Sequence, residues 1–393
     1  MSEKVKTGMQ VTPAIQPDVQ PQCKPATKDS IQKAAEIIAN GGIAAFPTET
    51  VYGLGADASN PAAVSRIYSA KGRPGDNPLI LHVAAPEAFA QLTVNTPAYA
   101  QALINAFWPG PLTLVANKKT GLPTWLGGSP KGETETIGVR MPSHPVALAV
   151  IKASGCVIAA PSANKAGTPS PTHAGHVVSD FADGSIDFIL DGGSVPGGLE
   201  STVVDVTGTR PRILRPGAIT AEMIEDITGI KPHGFEPITG LSPNNNTGGE
   251  SSAPPRSPGM KYRHYAPKAP MTLLMGSEDG IAEYIMSQIV SELKNRHIGV
   301  LVATQTRAKI DESSCTNLFN CSIITLGDKT VPETIARNLY AGLRQFDILG
   351  VDIIFAEGFA QEGLGIAIMD RMKKAAEGRV VCVPDKNNVC VYG

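Results

Sequence analysis

Through most of its length, the chain alternates short apolar runs with segments whose apolar residues recur at helical spacing. The runs IAAFPT, PLILHVA, LTLVAN, TIGVRM and CVIAA are typical of buried strands, and 97–107, 144–154 and 172–182 are typical of amphipathic helices. The run STVVDVT leads through a Gly-Thr turn into RILRPG, which predicts a β-hairpin. Residues 27–230 are therefore predicted to form a mixed α/β domain.

A second alternation begins after the proline at position 270. The strands MTLLM, IGVLVAT, SIITLG, VDIIFAEGF and VVCVP are separated by helical segments that include 278–295, 330–347 and 364–377. This order is typical of a parallel, doubly wound sheet. Residues 271–393 are predicted to form a smaller Rossmann-like domain. Because no GxGxxG opens its first helix, dinucleotide binding there is unsupported.

Two polar stretches flank the first domain. Residues 1–26 contain recurrent prolines and are predicted to be a flexible tail. Residues 231–270 contain eight prolines and five glycines, which is typical of a linker. The linker ends in SPGMKYRHYAPK, which contains two tyrosines, a histidine and three cations. A passive spacer does not require that mixture, so this end of the linker is a candidate functional segment.

Composition and charge narrow the class of protein. The chain has 393 residues, 42% hydrophobic and 18% charged, as expected of a globular protein with two cores. Its formal net charge of −2 gives no global basic field for nucleic acid. Six cysteines without a CxxC pair argue against a zinc ribbon or a disulfide framework. With no apolar run long enough to span a bilayer and no signal sequence, we expect a soluble, cytoplasmic protein.

Two polar loops are candidates for phosphate or substrate binding. Lys71 and Arg73, in KGRPGDNP, suit a polyphosphate, although a solvated surface loop is the alternative. The loop APSANKAGTPSPT follows the predicted strand CVIAA, where open α/β sheets bind ligands. Ordinary turn chemistry explains its small polar residues equally well. Its candidate side chains are Ser162, Asn164, Ser170 and Thr172.

Two arginines end apolar strands. Arg140 and Arg215 each need an anionic partner, from a ligand or from a protein carboxylate such as Glu200 or Asp205. The histidines of the HxxH sequence 173–176 have no evident third ligand, so a pair of structural histidines is preferred over a metal site.

The conjunction and order of these segments resemble the YrdC-like family of threonylcarbamoyl-AMP synthases. The resemblance covers about residues 28–393 and rests on PTETVYGLGADA, KGRPGDNPLILHV, WPGPLTLV, TIGVRMPSHP, APSANKAGTPSPT, GGLESTVVDV and ILRPGAI. The two-domain form of the family also carries SPGMKYRHYAP in its linker. The resemblance therefore implies a YrdC-like catalytic domain at 27–230, built on a mixed, twisted open sheet with helices. It also implies a linker or lid at 231–270 and a C-terminal domain at 271–393.

The resemblance also implies an activity. The family joins L-threonine, bicarbonate or CO2, and ATP to give L-threonylcarbamoyladenylate and pyrophosphate, the first step in placing a threonylcarbamoyl group on adenosine 37 of tRNA. Catalysis would depend on positioning and charge neutralisation, without a covalent enzyme intermediate. Mg²⁺ is the implied cofactor, carried mainly by substrate phosphates. The implied partners are these substrates and the downstream tRNA-modifying machinery, with weak or indirect tRNA binding and no membrane.

The family's site residues transfer onto matching positions. Lys71 and Arg73 would neutralise the triphosphate as the catalytic charges, and Arg140 would pair with the threonine carboxylate. Tyr262 and Tyr265 would close over the site as a lid. The implied ATP-binding residues are Lys71, Arg73, Asn77, Thr136, Ser162, Asn164, Ser170, Arg215 and Tyr265. The implied threonine-binding residues are Thr50, His82, Arg140, Ala160 and Ser201.

Three other functions remain as alternatives. An RNA-binding module would bind in a strongly salt-dependent manner, but the chain lacks aromatic-basic platforms. A carbamoyl transferase of the hydrogenase-maturation type would carry zinc-finger cysteines and an acylphosphatase module, and neither is evident. A threonine sensor would bind threonine without turnover. Lid control is the role we expect for the C-terminal domain.

Overall fold

The structure is a computed structural model. It describes residues 21–123, 125–126, 135–234, 265–291, 296–312 and 320–384. Within these ranges, no helix combines the length and the apolar character that crossing a membrane requires.

The first part of the described chain is built on one mixed sheet. Its strands are β1 (Gln22–Pro25), β2 (Ala44–Pro47), β3 (Tyr52–Asp57), β4 (Ile80–His82), β5 (Thr93–Val94), β6 (Leu112–Lys118), β7 (Thr136–Arg140), β8 (Ile158–Ala159), β9 (Phe188–Asp191), β10 (Thr202–Asp205) and β11 (Arg212–Arg215). Its helices are α1 (Lys28–Ala39), α2 (Pro61–Lys71), α3 (Glu87–Leu92), α4 (Ala98–Phe107), α5 (Pro145–Ser154), α6 (Ala174–Asp180) and α7 (Ala221–Thr228). The strand order is β1-β9-β2-β3-β8-β4-β7-β6-β10-β11, with β5 paired to β6. Both parallel and antiparallel neighbours occur in this order, which confirms the predicted mixed sheet.

Local sequence signals set the ends of the helix that precedes the basic loop. The Asn60 side chain caps the start of α2 by accepting from two backbone N–H groups. Gly72 ends the helix at φ 62°, a left-handed conformation that glycine adopts without strain. Lys71 therefore lies in the last helical turn, and Arg73 is the first side chain beyond it.

The structure confirms the predicted hairpin and corrects the tail. Strands β10 and β11 pair antiparallel. Residues 22–25, assigned to the flexible tail, instead form β1, which pairs parallel with β9 at the sheet edge. The sequence QCKP has no apolar alternation, because all four residues are exposed and only backbone pairing holds them.

The second part is a parallel sheet with helices. It consists of β12 (Met271–Met275), β13 (Ile298–Val302), β14 (Cys321–Thr325), β15 (Ile353–Glu357), β16 (Val380–Cys382), α8 (Glu278–Ser291), α9 (Thr304–Glu312), α10 (Pro332–Leu349) and α11 (Leu364–Ala375). The order β14-β13-β15-β12-β16 and the parallel registers confirm the predicted fold. Helix α9 was not predicted, because its sequence TQTRAKIDE buries only Thr306 and Ile310.

Of the cysteines that the structure describes, one departs from the expectation of free thiols. Cys23, Cys156 and Cys321 are free, whereas Cys382, at the end of β16, is disulfide-bonded. Spacing along the chain did not reveal this, because a disulfide depends on the distance between two Cα atoms in space.

The two parts share a buried core. Val51 and Leu199 of the first part pack in the same apolar cluster as Leu339 and Tyr340 of α10. A buried ion pair reinforces the contact, with Arg344 Nη2 2.7 Å from Asp180 Oδ2. Helix α10 of the second part is therefore packed against the first part through desolvated surface of the kind found inside domains.

A pair of glycines offers a test of this contact. Gly193 and Gly198 both have left-handed backbones, at φ 80° and 76°. A Cβ at Gly193 would meet nothing within 4 Å, whereas one at Gly198 would overlap the backbone of Ala336 and Arg337. Gly193→Ala should lower the free energy of unfolding by about 1–2 kcal/mol through backbone strain alone. Gly198→Ala should cost about 1 kcal/mol more through overpacking.

Urea denaturation of both variants measures this difference. Equal losses for the two variants would mean that α10 does not press on this loop.

Candidate active site

One cavity gathers most of the side chains that the sequence singled out. It opens between the β2–β3 turn, the ends of β4, β7 and β11, and the loop that follows β8. The predicted residues that line it are Thr50, Arg73, His82, Arg140, Ala160, Ser162, Asn164, Ser170, Ser201, Arg215 and Tyr265.

Four predicted residues do not line this cavity. One of them, Thr172, is buried outside it. Lys71 is buried beneath the loop after β8, Asn77 is buried behind Arg73, and Thr136 begins β7 opposite Asn117. Tyr262 lies outside the described residues. Tyr265 is a buried wall of the cavity, and a closing movement of this residue stays a prediction.

Arg140 is held by groups beside the cavity. Its Nη1 donates to Thr50 Oγ1 at 3.0 Å, and its Nη2 lies 2.6 Å from Glu49 Oε1. Burial opposes ionisation of Glu49, but the Arg140 guanidinium outweighs it and lowers the pKa of that carboxyl. Glu49 is thus the anionic partner that the sequence required, and the suggested Glu200 and Asp205 are wrong for Arg140.

Arg215 is fixed by a second set of contacts at the cavity. Its Nε and Nη2 donate to the carbonyl oxygen and Oγ of Ser201, each at 3.1 Å. Ser201 Oγ also lies 2.8 Å from Thr113 Oγ1, so the serine hydroxyl joins two strands of the sheet. This network sets the direction of the Arg215 guanidinium before any ligand arrives. Asp205, the other suggested partner, instead accepts from Thr207.

The basic loop after α2 is braced by its own backbone. Arg73 Nε donates to the Asn77 carbonyl oxygen at 3.1 Å, and Nη2 donates to the Pro78 carbonyl oxygen at 2.8 Å. Tyr68 Oη donates to the same Asn77 carbonyl oxygen at 2.8 Å. Asn77 therefore supports Arg73 through its main chain, while its side-chain oxygen is buried without a hydrogen-bond partner among the described residues.

Lys71 holds the hydroxyl-rich loop in place. Its ammonium donates to the carbonyl oxygens of Ser162 and Asn164, and Ser162 Oγ donates to Asn164 Oδ1. Burial, followed by the charge of Arg73, lowers the pKa of Lys71 well below its usual range. The lysine thus shapes one wall of the cavity from beneath, without lining it.

Two further side chains are kept neutral. Burial, followed by the charge of Arg140, lowers the pKa of His82 to about 3. Burial, followed by the charge of Glu200, raises the pKa of Tyr265 to about 12. The cavity therefore presents three fixed guanidinium groups, those of Arg73, Arg140 and Arg215, among neutral hydroxyl, amide and ring groups. Such an arrangement favours an anionic ligand with several oxygen atoms.

The two histidines of the HxxH sequence pack against each other. The rings of His173 and His176 lie 3.6 Å apart, and His176 Nδ1 accepts from the backbone N–H of Thr172 at 3.2 Å. Among the described residues, no group of three histidine, cysteine, aspartate or glutamate side chains is placed to hold a metal ion.

This pair gives a pH prediction. Burial, followed by the charges of Arg344 and His173, lowers the pKa of His176 to about 3. Between about pH 3 and 6.5, the unfolded chain therefore binds more protons than the folded chain does. The free energy of unfolding decreases as the pH falls through that window. His176→Asn keeps an acceptor for Thr172 and removes the titration. It should reduce the slope of unfolding free energy below pH 6 by up to about 1.4 kcal/mol per pH unit.

Urea titrations between pH 5 and 8 measure this slope. An unchanged slope in the variant would contradict a neutral, buried His176.

The sequence analysis missed one acid of this region, Glu49, and named Glu200 only as a possible partner of an arginine. Glu49, within PTETV, pairs with Arg140, and Glu200, within GGLESTV, lines the cavity. Glu49 lies among apolar and hydroxyl residues. A charged side chain in such surroundings needs a partner of opposite charge, so the argument made for the arginines could have identified this acid.

The chain matches two family models. One, described as "Telomere recombination", matches residues 36–217, and one described as "Threonylcarbamoyl-AMP synthase, C-terminal domain" matches residues 219–377. The threonylcarbamoyl-AMP synthase of Bacillus subtilis is 45% identical over 354 residues, which cover 89% of this chain and 94% of the relative. That of Pyrococcus abyssi is 43% identical over 356 residues, covering 90% and 96%.

A solved structure is similar over the same extent. It is the P. abyssi protein Sua5 complexed with L-threonine, with a TM-score of 0.76 and 40% identity, covering 92% of this chain and 98% of that one. Both halves of the chain are therefore matched together and in the same order. The chain belongs to the threonylcarbamoyl-AMP synthase family, in the form that carries the additional C-terminal domain.

Proposed function

We propose that this chain makes L-threonylcarbamoyladenylate and pyrophosphate from L-threonine, bicarbonate and ATP. The two relatives described above are named for that activity, and this chain matches them over nearly their whole length. The observation that best supports the proposal is the convergence of three guanidinium groups on one cavity lined with hydroxyl groups. A carboxylate and a triphosphate are the anions that such a cavity would gather.

The reaction requires only that the substrates be held together. The threonine amine and bicarbonate form a carbamate and water, and a carbamate oxygen then attacks the α-phosphorus as pyrophosphate leaves. The chain's contribution is orientation and charge neutralisation, worth many powers of ten in rate when the reactants are aligned.

The side chains divide between two substrates. Arg140 and Thr50, joined by a hydrogen bond, would bind the threonine carboxylate, with the neutral His82 and Ser201 beside it. Arg73 and Arg215 would bind the nucleotide and its phosphates. Arg140 and Arg215 lie on different strands and line the same cavity, so the two substrates would be bound next to each other.

Mg²⁺ would neutralise the triphosphate. The cavity offers one carboxylate, Glu200, which is already engaged by Ser170 and Arg371, so the described residues form no protein cage for the ion. This donor set fits an ion held by phosphate oxygens and water. The product would pass to a tRNA-modifying enzyme, and we propose the cytoplasm as the site of action because ATP and tRNA meet there.

Release of pyrophosphate tests the proposal. Purified protein is incubated with ATP, Mg²⁺, bicarbonate and threonine, and each component is omitted in turn. We expect release only in the complete mixture. Release without threonine, or none in the complete mixture, would reject the proposed function. Turnover that required carbamoyl phosphate would instead support a carbamoyl transferase.

A further inference from the structure

Glu200 poses an electrostatic problem for an anion-binding cavity. Its carboxylate lines the cavity and is buried, so its negative charge would repel an anionic substrate unless it is neutralised. Ser170 Oγ donates to Oε1 at 2.6 Å. Tyr340 Oη donates to Oε2 at 3.0 Å, and Arg371 Nε donates to the same atom at 3.2 Å.

Two of these three donors come from the second domain. Tyr340 lies on α10 and Arg371 on α11, and both side chains are fully buried. Arg371 Nη1 also donates to Asp370 Oδ2 at 2.8 Å, which fixes the guanidinium with Nε toward Glu200. The charge that balances a cavity-lining acid of the first domain is therefore supplied by the other domain.

The same two side chains support Tyr265. The rings of Tyr265 and Tyr340 are stacked with centroids 5.4 Å apart and planes 20° apart. The Arg371 guanidinium carbon lies 5.7 Å from the centre of the Tyr265 ring, within the range of a cation–π contact. Tyr265 has φ 66°, a conformation that a bulky residue adopts only when its surroundings hold it there.

We propose that Tyr340 and Arg371 are positioning residues for nucleotide binding, acting across the domain interface through Glu200 and Tyr265. This rests on the proposed function for the identity of the nucleotide. Arg371 pairs with the Glu200 carboxylate, so Glu200 does not draw Arg215 away. Arg215 therefore stays bound to Ser201 and directed at the cavity. Tyr340 holds the Tyr265 ring as a wall of the same cavity. The second domain is thus part of the nucleotide site without touching the substrate.

Removal of Arg371 should weaken nucleotide binding selectively. In Arg371→Gln, the unpaired Glu200 carboxylate would attract Arg215, the other guanidinium near it. We expect the ATP dissociation constant, measured by calorimetry with ATP and Mg²⁺, to rise about 10-fold, as for loss of one charge-assisted contact. The threonine dissociation constant should change less than about 2-fold, since Arg140 is held separately by Glu49. Tyr340→Phe, which keeps the ring and removes one donor, should raise the ATP constant about 3-fold.

A second substitution separates charge from packing. Adding Glu200→Gln to Arg371→Gln removes the carboxylate charge that has lost its arginine partner. The ATP affinity of the double variant should therefore be several-fold higher than that of Arg371→Gln. A purely structural role predicts no recovery, because the double variant has lost one more native group. No recovery in the double variant would overturn the proposal.

A matched control tests whether any loosening of the interface has the same effect. Arg337, also on α10, donates from Nε to the Pro196 carbonyl oxygen at 3.0 Å across the same interface but is exposed. Arg337→Gln should leave ATP affinity unchanged. A rise equal to that of Arg371→Gln would also overturn the proposal.

Hydrogen exchange provides a readout that does not depend on turnover. We expect faster exchange at 199–203 and 265–269 in Arg371→Gln, and unchanged exchange there would reject the link to Tyr265. If Arg371→Gln does not fold, Tyr340→Phe with the same ATP titration decides the question. Wild-type protein that binds ATP without threonine-dependent pyrophosphate release would reject the proposed function alone.

Discussion

Replacing Arg140 with lysine should raise the threonine concentration needed for half-maximal turnover about 30- to 100-fold, a loss of about 2–3 kcal/mol from a bidentate contact. Lysine keeps the positive charge, and with it the balance of Glu49, but it cannot donate to Thr50 and a ligand carboxylate from one planar group. The ATP requirement should change less than about 3-fold, because Arg73 and Arg215 are fixed independently of Arg140.

Initial rates of pyrophosphate release, with one substrate varied at a time, measure both requirements. Arg210→Lys is the control, since Arg210 is exposed and donates only to the Lys231 carbonyl oxygen in the described structure. Equal increases for threonine and ATP in Arg140→Lys would show that its partner has been assigned wrongly.

Replacing Lys71 with methionine should both destabilise the protein and reduce turnover. The carbonyl oxygens of Ser162 and Asn164 would lose a buried donor, at a cost of about 1–3 kcal/mol each. Because the loop they belong to lines the cavity, we expect turnover to fall at least about 100-fold as the reacting groups lose alignment. Threonine affinity should be largely kept, since Arg140 and Thr50 lie on other elements.

Thermal unfolding, turnover and calorimetric titration with threonine together measure these effects. Lys165→Met is a matched control. Lys165 Nζ donates to the carbonyl oxygen of Ala70, which lies on α2 beside Lys71, but the Lys165 side chain is partly exposed. Its loss should have little effect on turnover. Lost threonine affinity in Lys71→Met would contradict the assignment of threonine binding to Arg140 and Thr50.

Much of the fold could be predicted from apolar periodicity. The parallel second sheet and the β10–β11 hairpin follow from buried runs and turn residues, because burial and turn geometry leave local patterns. Strand β1 and helix α9 were not predictable in this way. Residues 22–25 are exposed and held by backbone pairing, and α9 buries only two side chains, so neither carries the periodicity on which such a prediction depends.

The site was predictable as a set of residues but less so as a network of contacts. From composition alone, Lys71 could belong to a solvated surface loop and Ser162 to an ordinary turn. The resemblance in the order of the motifs identified both as candidate site residues. The cavity brings together most of the implied residues. The predicted partners of Arg140 were wrong. Glu49 pairs with Arg140 because the fold brings the two side chains together, and the two suggested acids contact other residues. Domain boundaries and the individual substrate roles stay predictions.

The charge balance around Glu200 bears on how such a protein could be shortened. A shortened descendant of this chain would inherit an acid in its substrate chamber while losing the arginine that offsets it. We expect such a descendant to remain active only if a cation encoded in the remaining half takes over that task, or if the acid itself is exchanged for a neutral group.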